Sequence, residues 1–446
     1  MSAAIRRLVL RVHRLTGRRV LERLEELNRT QWLGRESLLR LQRARLQQVV
    51  AYAHRHVPYY RRVFEEAGFR PDDAPIDPEA WLRIPVLTKA IVRARFHDLM
   101  TTEPERRREL TEVRTSGSTG YPLVFMQDRG YRDSVTADIQ RHLGWAGWRL
   151  GEPHAYIWGA SFDASLQHSL RARLLDWTWN RCVTNAYLMT EDSMAALAGH
   201  VRRRRPRILF GYASSLQRFA RFVRRQALQD ISFDGVFSSA EVLFPDVRRL
   251  IEETFRCRVF DRYGSKDLGG IACECEAHAG VHVSAENNYV EILRDGRPCR
   301  PGEVGEIVVT NLNNLGMPFI RYGIGDYGAW KSAGECPCGR AAPMLEAVQG
   351  RIGDSFKTRD GRTVGSVFAG LLADPGIEQF QIVQKSLDLV VVRLVKRGEI
   401  SPRTLDRIAR ALRTSLGEGV RVVYEYPEAI PVLPSGKHRA MFSDCE

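Results

Sequence analysis

Three short strand-like runs, each stopping on a polar turn, constrain this chain more than any other feature. Ile208-Leu209-Phe210-Gly211-Tyr212 runs into Ala213-Ser214-Ser215, Gly235-Val236-Phe237 into Ser238-Ser239-Ala240-Glu241, and Arg258-Val259-Phe260-Asp261-Arg262 into Tyr263-Gly264-Ser265. Small hydroxylated residues after the first run suit a helix N-terminus, and 245–255 reads as helix after the second. Strands that alternate with helices build an α/β sheet, and polar residues gathered beyond successive strands are where such a sheet takes a ligand.

Around this centre the chain changes character twice. Upstream, 37–63 carries apolar residues at helical spacing until His56-Val57-Pro58-Tyr59-Tyr60 interrupts it, β-like pieces are expected at 110–114 and 123–126, and a buried strand at 156–160. Downstream, 289–293 and 305–310 alternate about the turn Asp295-Gly296-Arg297-Pro298, which indicates antiparallel strands. After a break near 350–354, strands at 380–383, 389–395 and 420–426 and a helix at 402–416 form a second, α+β unit. The division expected is therefore a large domain over 1–350 and a small one over 351–446.

The chain has 446 residues and a formal charge of +14. Its arginines are dispersed, and runs such as Arg202-Arg203-Arg204-Arg205 lack the interleaved aromatic residues of a nucleic-acid surface, so no nucleic-acid partner is expected. No apolar run approaches the roughly 20 residues of a membrane span, and the Arg-rich first residues lack a signal peptide's apolar core; the expectation is a soluble, cytoplasmic protein. Of eight cysteines, Cys273/Cys275 and Cys336/Cys338 form close pairs, with His278 and His282 just beyond the first. Thiols so spaced suggest a metal rather than disulfides.

Thr115-Ser116-Gly117-Ser118-Thr119-Gly120 packs four hydroxyls and two glycines into six residues. Glycine admits positive φ and close ligand approach, and hydroxyl and N–H donors are what a phosphate needs. The run is not a Walker A loop, because Tyr121-Pro122-Leu123 stands where Gly-Lys-Ser/Thr and a helix would follow. Alone, it is more often a surface turn. Three further polar patches change that weighting: Tyr263-Gly264-Ser265-Lys266-Asp267, Arg321-Tyr322-Gly323-Ile324-Gly325-Asp326, and Ser435-Gly436-Lys437.

In this order and spacing the four patches resemble the adenylate-forming enzymes, most closely their phenylacetate-coenzyme A ligase-like branch. His56-Val57-Pro58-Tyr59-Tyr60 and Pro85-Val86-Leu87-Thr88-Lys89 share in the resemblance, which extends over 38–443. It implies a large N-terminal domain of α/β sheets with an antiparallel β part, and a small mobile C-terminal domain. It also implies an enzyme that joins a small carboxylic acid to the α-phosphate of ATP, releases pyrophosphate and passes the acyl group to a thiol. Coenzyme A is the default acceptor; an amine or a carrier-protein thiol stays open, as do a homodimer and a non-catalytic nucleotide-binding protein on the same fold.

The resemblance assigns roles as well. The loop from Thr115 through Ser116, Gly117, Ser118, Thr119 and Gly120 would hold the β- and γ-phosphates, and Tyr263 would lie against adenine. Asp267 stands where the family usually has a Mg²⁺-binding glutamate. Asp326, with Arg351 nearby, would take the ribose hydroxyls, and Ser239, Ala240, Glu241, Asp261, Gly264 and Ser265 would complete the nucleotide site. Lys437 would bridge the carboxylate and the α-phosphate, and Asp354 beside Gly353 would be the hinge. Tyr212, Ala213, Ser214, Phe237 and Ser238 would line the acid pocket. Cys275, His282, Cys336 and Cys338 resemble the branch's structural zinc site, with Cys273 or His278 as substitutes for one ligand.

Overall fold

The structure, a computed structural model of the chain, describes residues 8–445 apart from 10, 13, 14, 16, 72–75, 116–122, 160–173, 175, 187, 188, 333, 352–355, 360–362, 365–375 and 431–440. Helices α1 (Val20–Thr30), α2 (Arg35–His56), α3 (Pro58–Glu66), α4 (Pro78–Arg83) and α5 (Lys89–Ala94) come first. The interruption expected at 56–60 falls at the junction of α2 and α3. Val57 sits at φ −122° and ψ 107°, because the residue before a proline is pushed out of the α region. Pro58 then opens α3, where its missing N–H costs nothing.

Strands β1 (Thr111–Arg114) and β2 (Val124–Gln127) form an antiparallel hairpin with Arg114 opposite Val124. Helix α6 (Arg129–Trp145) follows, capped by the Asp128 carboxylate on the Tyr131 N–H at 2.7 Å. Next come β3 (His154–Ile157), β4 (Arg181–Thr184), α7 (Glu191–Arg204), β5 (Ile208–Tyr212), α8 (Ala213–Arg225), β6 (Gly235–Ser239), α9 (Pro245–Phe255) and β7 (Arg258–Ser265). The strand expected at 156–160 lies earlier, at β3, because Gly159 takes φ 119° and turns the chain.

Strands β4, β3, β5, β6 and β7 run parallel side by side. Both β5 and β6 are buried at every position, as expected where helices cover both faces. Phe210, Phe237 and Phe260 sit opposite one another on β5, β6 and β7, their rings stacked at 6.2 and 4.8 Å.

Beyond β7 the same sheet turns antiparallel through β8 (Gly269–Glu274), β9 (Val281–Val283), β10 (Asn288–Arg294), β11 (Arg297–Pro298), β12 (Val304–Asn311), β13 (Tyr322–Trp330) and β14 (Met344–Arg351). The described sheet is twelve strands wide, ordered β11-β10-β12-β13-β14-β9-β8-β7-β6-β5-β3-β4. The seam between its parallel and antiparallel halves is β7 against β8. Strands β15 (Phe356–Lys357) and β16 (Thr363–Val364) form a small pair.

A separate four-stranded sheet, ordered β19-β18-β17-β20, comprises β17 (Ile377–Ser386), β18 (Leu389–Lys396), β19 (Arg421–Glu425) and β20 (Met441–Ser443). Helix α10 (Pro402–Leu416) packs on it through Thr404, Ile408, Leu412 and Leu416, a four-residue spacing that lines one helix face. Phe244 meets Phe380 at 5.9 Å between ring centres, and Arg221 donates to the Glu378 carbonyl, so the two units touch. Among the described residues no helix is long and apolar enough to cross a membrane.

Candidate active site and metal centre

The neck of the Ser/Gly loop is closed by two hydrogen bonds, each 2.9 Å long: Thr115 N–H to the Leu123 carbonyl, and Leu123 N–H to Thr115 Oγ1. The rest of the loop, from Ser116 through Gly117, Ser118, Thr119 and Gly120, lies outside the described residues. The hairpin that carries it is tied to the β7 turn, since Gln127 Nε2 donates to the Lys266 carbonyl at 3.1 Å. Asp128 at its foot accepts from the N–H groups of Leu315 and Gly316 at 2.9 and 3.0 Å.

Past the end of β7, Tyr263 donates its hydroxyl to Asp326 Oδ2 at 2.8 Å, joining two sequence patches across the sheet. Asp267 is buried, and its Oδ2 accepts from the Tyr322 hydroxyl at 2.8 Å. Gly264 stands opposite Gly270, where a Cβ would meet the Gly269 carbonyl oxygen at 2.3 Å. Gly264→Ala is therefore expected to force β8 off β7, destabilise the fold by about 1–3 kcal/mol and weaken ATP binding. An unchanged melting temperature and ATP affinity would count against that close approach.

The strand ends next to β7 are ordered by their own polar groups. Ser239 Oγ donates to the Arg262 carbonyl at 2.8 Å, and Ala240 takes φ 68°, unusual for a residue with a Cβ. Glu241 accepts from Ser214 N–H at 2.7 Å and Ser214 Oγ at 3.0 Å, placing a carboxylate on the positive end of α8. Ser265 Oγ accepts from Leu268 N–H at 3.2 Å and shapes the turn before Asp267. Asp261 lies beside Glu274, which Arg248 grips through both oxygens at 3.0 and 2.9 Å. Burial, followed by the Glu274 charge, pushes the Asp261 carboxyl up to about 7.

Cys275, His282, Cys336 and Cys338 converge so that their ligand atoms all lie within 4.8 Å of one another. Cys275 Sγ and Cys336 Sγ are 3.5 Å apart, and Cys338 Sγ is 3.4 Å from His282 Nε2. Sulfurs bound at about 2.3 Å to one tetrahedral ion stand about 3.8 Å apart, so the donor set fits zinc. His282 Nδ1 is 3.2 Å from the Ala342 carbonyl, which suits an imidazole that donates there and offers Nε2 to an ion. Burial pushes the Cys275 thiol up to about 12 and the His282 imidazole down to about 4. A cation is what would hold such thiols as thiolates.

The comparisons with known proteins agree over nearly the whole chain. A phenylacetate-coenzyme A ligase of Thermus thermophilus is 27% identical, the match covering 91% of this chain and 96% of that protein. A 2-hydroxyisobutyryl-CoA ligase solved in the postadenylation state superposes with a TM-score of 0.74 at 23% identity, over 94% of this chain and 92% of the other. Residues 359–444 match the CapK C-terminal domain, and protein CapK of Staphylococcus aureus is 21% identical over 90% of this chain and 88% of its own. The chain is a homologue of phenylacetate-coenzyme A ligases and has the fold of adenylate-forming CoA ligases.

Within that adenylate-forming fold the candidate residues fall into three groups. Thr115, Ser239, Ala240, Glu241, Tyr263, Gly264, Ser265, Asp267 and Asp326 lie at or beyond the ends of β1, β6 and β7, or on β13. Lys437, Gly353 and Asp354 lie outside the described residues, as does the Arg351 side chain, though its backbone pairs with Asp326 on β13. Phe237 is fully buried, its ring stacked with those of Phe210 and Phe260. Tyr212 lies 4.3 Å from Trp158, ring centre to ring centre.

Neither substitute metal ligand joins the described cluster. Cys273 is buried among Phe237 and Phe260, and His278 lies on Phe260 at 4.7 Å with Nδ1 3.3 Å from Glu274. Sequence reasoning gave no role to Tyr131, nor to Tyr322 and Lys89 within the segments it singled out; these three hold the site together through Asp267 and Ile324. The available signal was that Tyr322 lies inside the 321–326 patch.

Proposed function

We propose that the protein is an ATP-dependent, AMP-forming carboxylate ligase with coenzyme A as acceptor. The observation that carries this reading is the convergence of Tyr263 with Asp326, and of Tyr322 with Asp267, at the seam beside the Thr115 hairpin. An oxygen of the acid attacks the α-phosphorus of ATP while the bond to pyrophosphate breaks. The thiol sulfur then attacks the acyl carbon, and AMP leaves.

The chain's own groups divide this work. The Thr115 loop holds the departing phosphates through N–H and hydroxyl donors, Asp326 and Arg351 take the ribose, and Lys437 stabilises charge at the α-phosphorus. Mg²⁺ takes one or two carboxylates together with phosphate oxygens, which Asp267 suits, and would neutralise phosphate charge. The four-ligand cysteine and histidine cluster leaves an ion no open position, so its zinc is structural. The small domain, from 351 onward, turns about Gly353 and Asp354 between the half-reactions. Eight free cysteines accord with a reducing cytoplasm.

The test of this reading also separates a second acceptor class, an amine or a carrier-protein thiol, from coenzyme A. The test is acid-dependent ATP–pyrophosphate exchange over a panel of aromatic and small carboxylates, repeated with coenzyme A and followed by mass spectrometry of the product. Exchange with at least one acid and an acyl-coenzyme A product is expected. Exchange without thioester formation points to the other acceptors, and ATP binding with no exchange for any acid removes the ligase reading.

A further inference from the structure

Asp267 is where this chain departs from the glutamate usual in the family, and aspartate reaches one methylene less far. Its side chain is only 5% exposed. Oδ2 accepts from the Tyr322 hydroxyl at 2.8 Å, and the Asp267 carbonyl accepts from the Tyr131 hydroxyl at 3.1 Å. Both tyrosines are fully buried, so neither hydroxyl swings aside without disturbing the core. Among the described residues Oδ1 accepts no hydrogen bond, so Tyr322 decides which carboxylate oxygen is left for a ligand.

Tyr322 is itself held by strained backbone. Arg321 has φ 50°, a left-handed conformation costly for a residue with a Cβ, and is 2% exposed. Its guanidinium donates to the carbonyls of Trp81, Leu82 and Ile84 and pairs with Glu291. Its N–H donates to Thr310 Oγ1 at 2.8 Å, and its carbonyl accepts from Leu87 N–H at 2.8 Å. Gly323 N–H returns to the Leu87 carbonyl at 3.0 Å, and Lys89 Nζ donates to the Ile324 carbonyl at 2.9 Å. Such strain persists only where the surroundings over-determine it, and here the outcome is the direction of Tyr322.

We propose that Tyr322 is a positioning residue that turns Asp267 so that Oδ1 alone meets the divalent cation accompanying the ATP phosphates. A fixed hydrogen bond thereby makes up for the reach that aspartate lacks. The inference rests on the adenylation reading.

Mn²⁺ with ATP serves as the probe, because electron paramagnetic resonance reads its binding directly. Tyr322→Phe is expected to bind Mn²⁺·ATP about tenfold more weakly than wild type, the size of one hydrogen bond to a charged group. The cation concentration needed for half-maximal exchange rises by a similar factor while the KM for the acid stays put. Asp267→Glu weakens binding beside Tyr322 and restores it in the Tyr322→Phe background, where the longer side chain no longer meets a hydroxyl.

Equal Mn²⁺·ATP affinity for wild type and Tyr322→Phe overturns the proposal. Affinity is a property of the folded molecules, so a modest loss of stability does not imitate the effect. Should Tyr322→Phe give no folded protein, Asp267→Glu alone decides, and unchanged affinity there overturns the proposal. A wild type that binds no Mn²⁺·ATP and exchanges with no acid overturns the adenylation reading as well, whereas indifferent variants of an active wild type remove only the role of Tyr322.

Discussion

Lys437→Ala is expected to slow acid-dependent ATP–pyrophosphate exchange by at least about 10²–10³-fold, the loss seen when one preorganised donor to a developing charge is removed, while ATP affinity changes only a few-fold. The Ser/Gly loop brings no cation of its own, since Tyr121-Pro122-Leu123 ends it. Positive charge at the α-phosphorus has to arrive from elsewhere. Lys437 itself lies outside the described residues, but both ends of its segment are anchored to one strand. Ile430 N–H donates to Gln379 Oε1 at 3.4 Å, and Met441 on β20 pairs with Ile382 on β17. Lys437→Arg keeps the charge but replaces a point donor with a planar fork, so it is expected to recover only part of the rate. Exchange at the wild-type rate in Lys437→Ala would rule out the assigned role.

Loss of the proposed zinc is the second large effect. Protein purified without chelators is expected to contain about one zinc per chain. Cys336→Ser, or prolonged chelation, is expected to lower the melting temperature by about 10 °C or more, because a structural ion's binding energy is folding energy. The knuckle reaches far into the fold. Arg340, two residues past Cys338, lies between Trp32 and Trp145 at 4.5 and 4.6 Å and pairs with Glu276 at 2.8 Å. Its release should alter indole fluorescence along with the loss of stability. His278→Ala is expected to leave the zinc content at one per chain, since that ring lies on Phe260. Protein that contains no zinc and melts alike with and without chelator would remove the metal centre.

Much of this architecture is legible in the amino-acid order. The runs ending at Tyr212 and Ser239 point to strands of a parallel sheet, because strands covered on both faces are buried throughout. The spacing of Thr404, Ile408, Leu412 and Leu416 declares the helix of the small unit. The chemistry-bearing patches are local as well: glycines and hydroxyls at 115–120, and cysteines two apart at 336 and 338, can be picked out without any partner.

What periodicity does not carry is which strand lies beside which. Tyr263 meets Asp326 and Asp267 meets Tyr322 only because the sheet turns back on itself after β7, so residues separated by 63 and 55 positions come within a hydrogen bond. The stack of Phe237 with Phe210 and Phe260 likewise depends on the neighbouring strands. The sequence by itself determined the alternation of elements, the separate C-terminal unit and the residue types of each patch, because these depend on near neighbours along the chain. The tertiary structure alone decided the seam, the Tyr322 hydroxyl on Asp267 and the burial of Phe237 in its stack, because each depends on contacts between segments that no local pattern specifies.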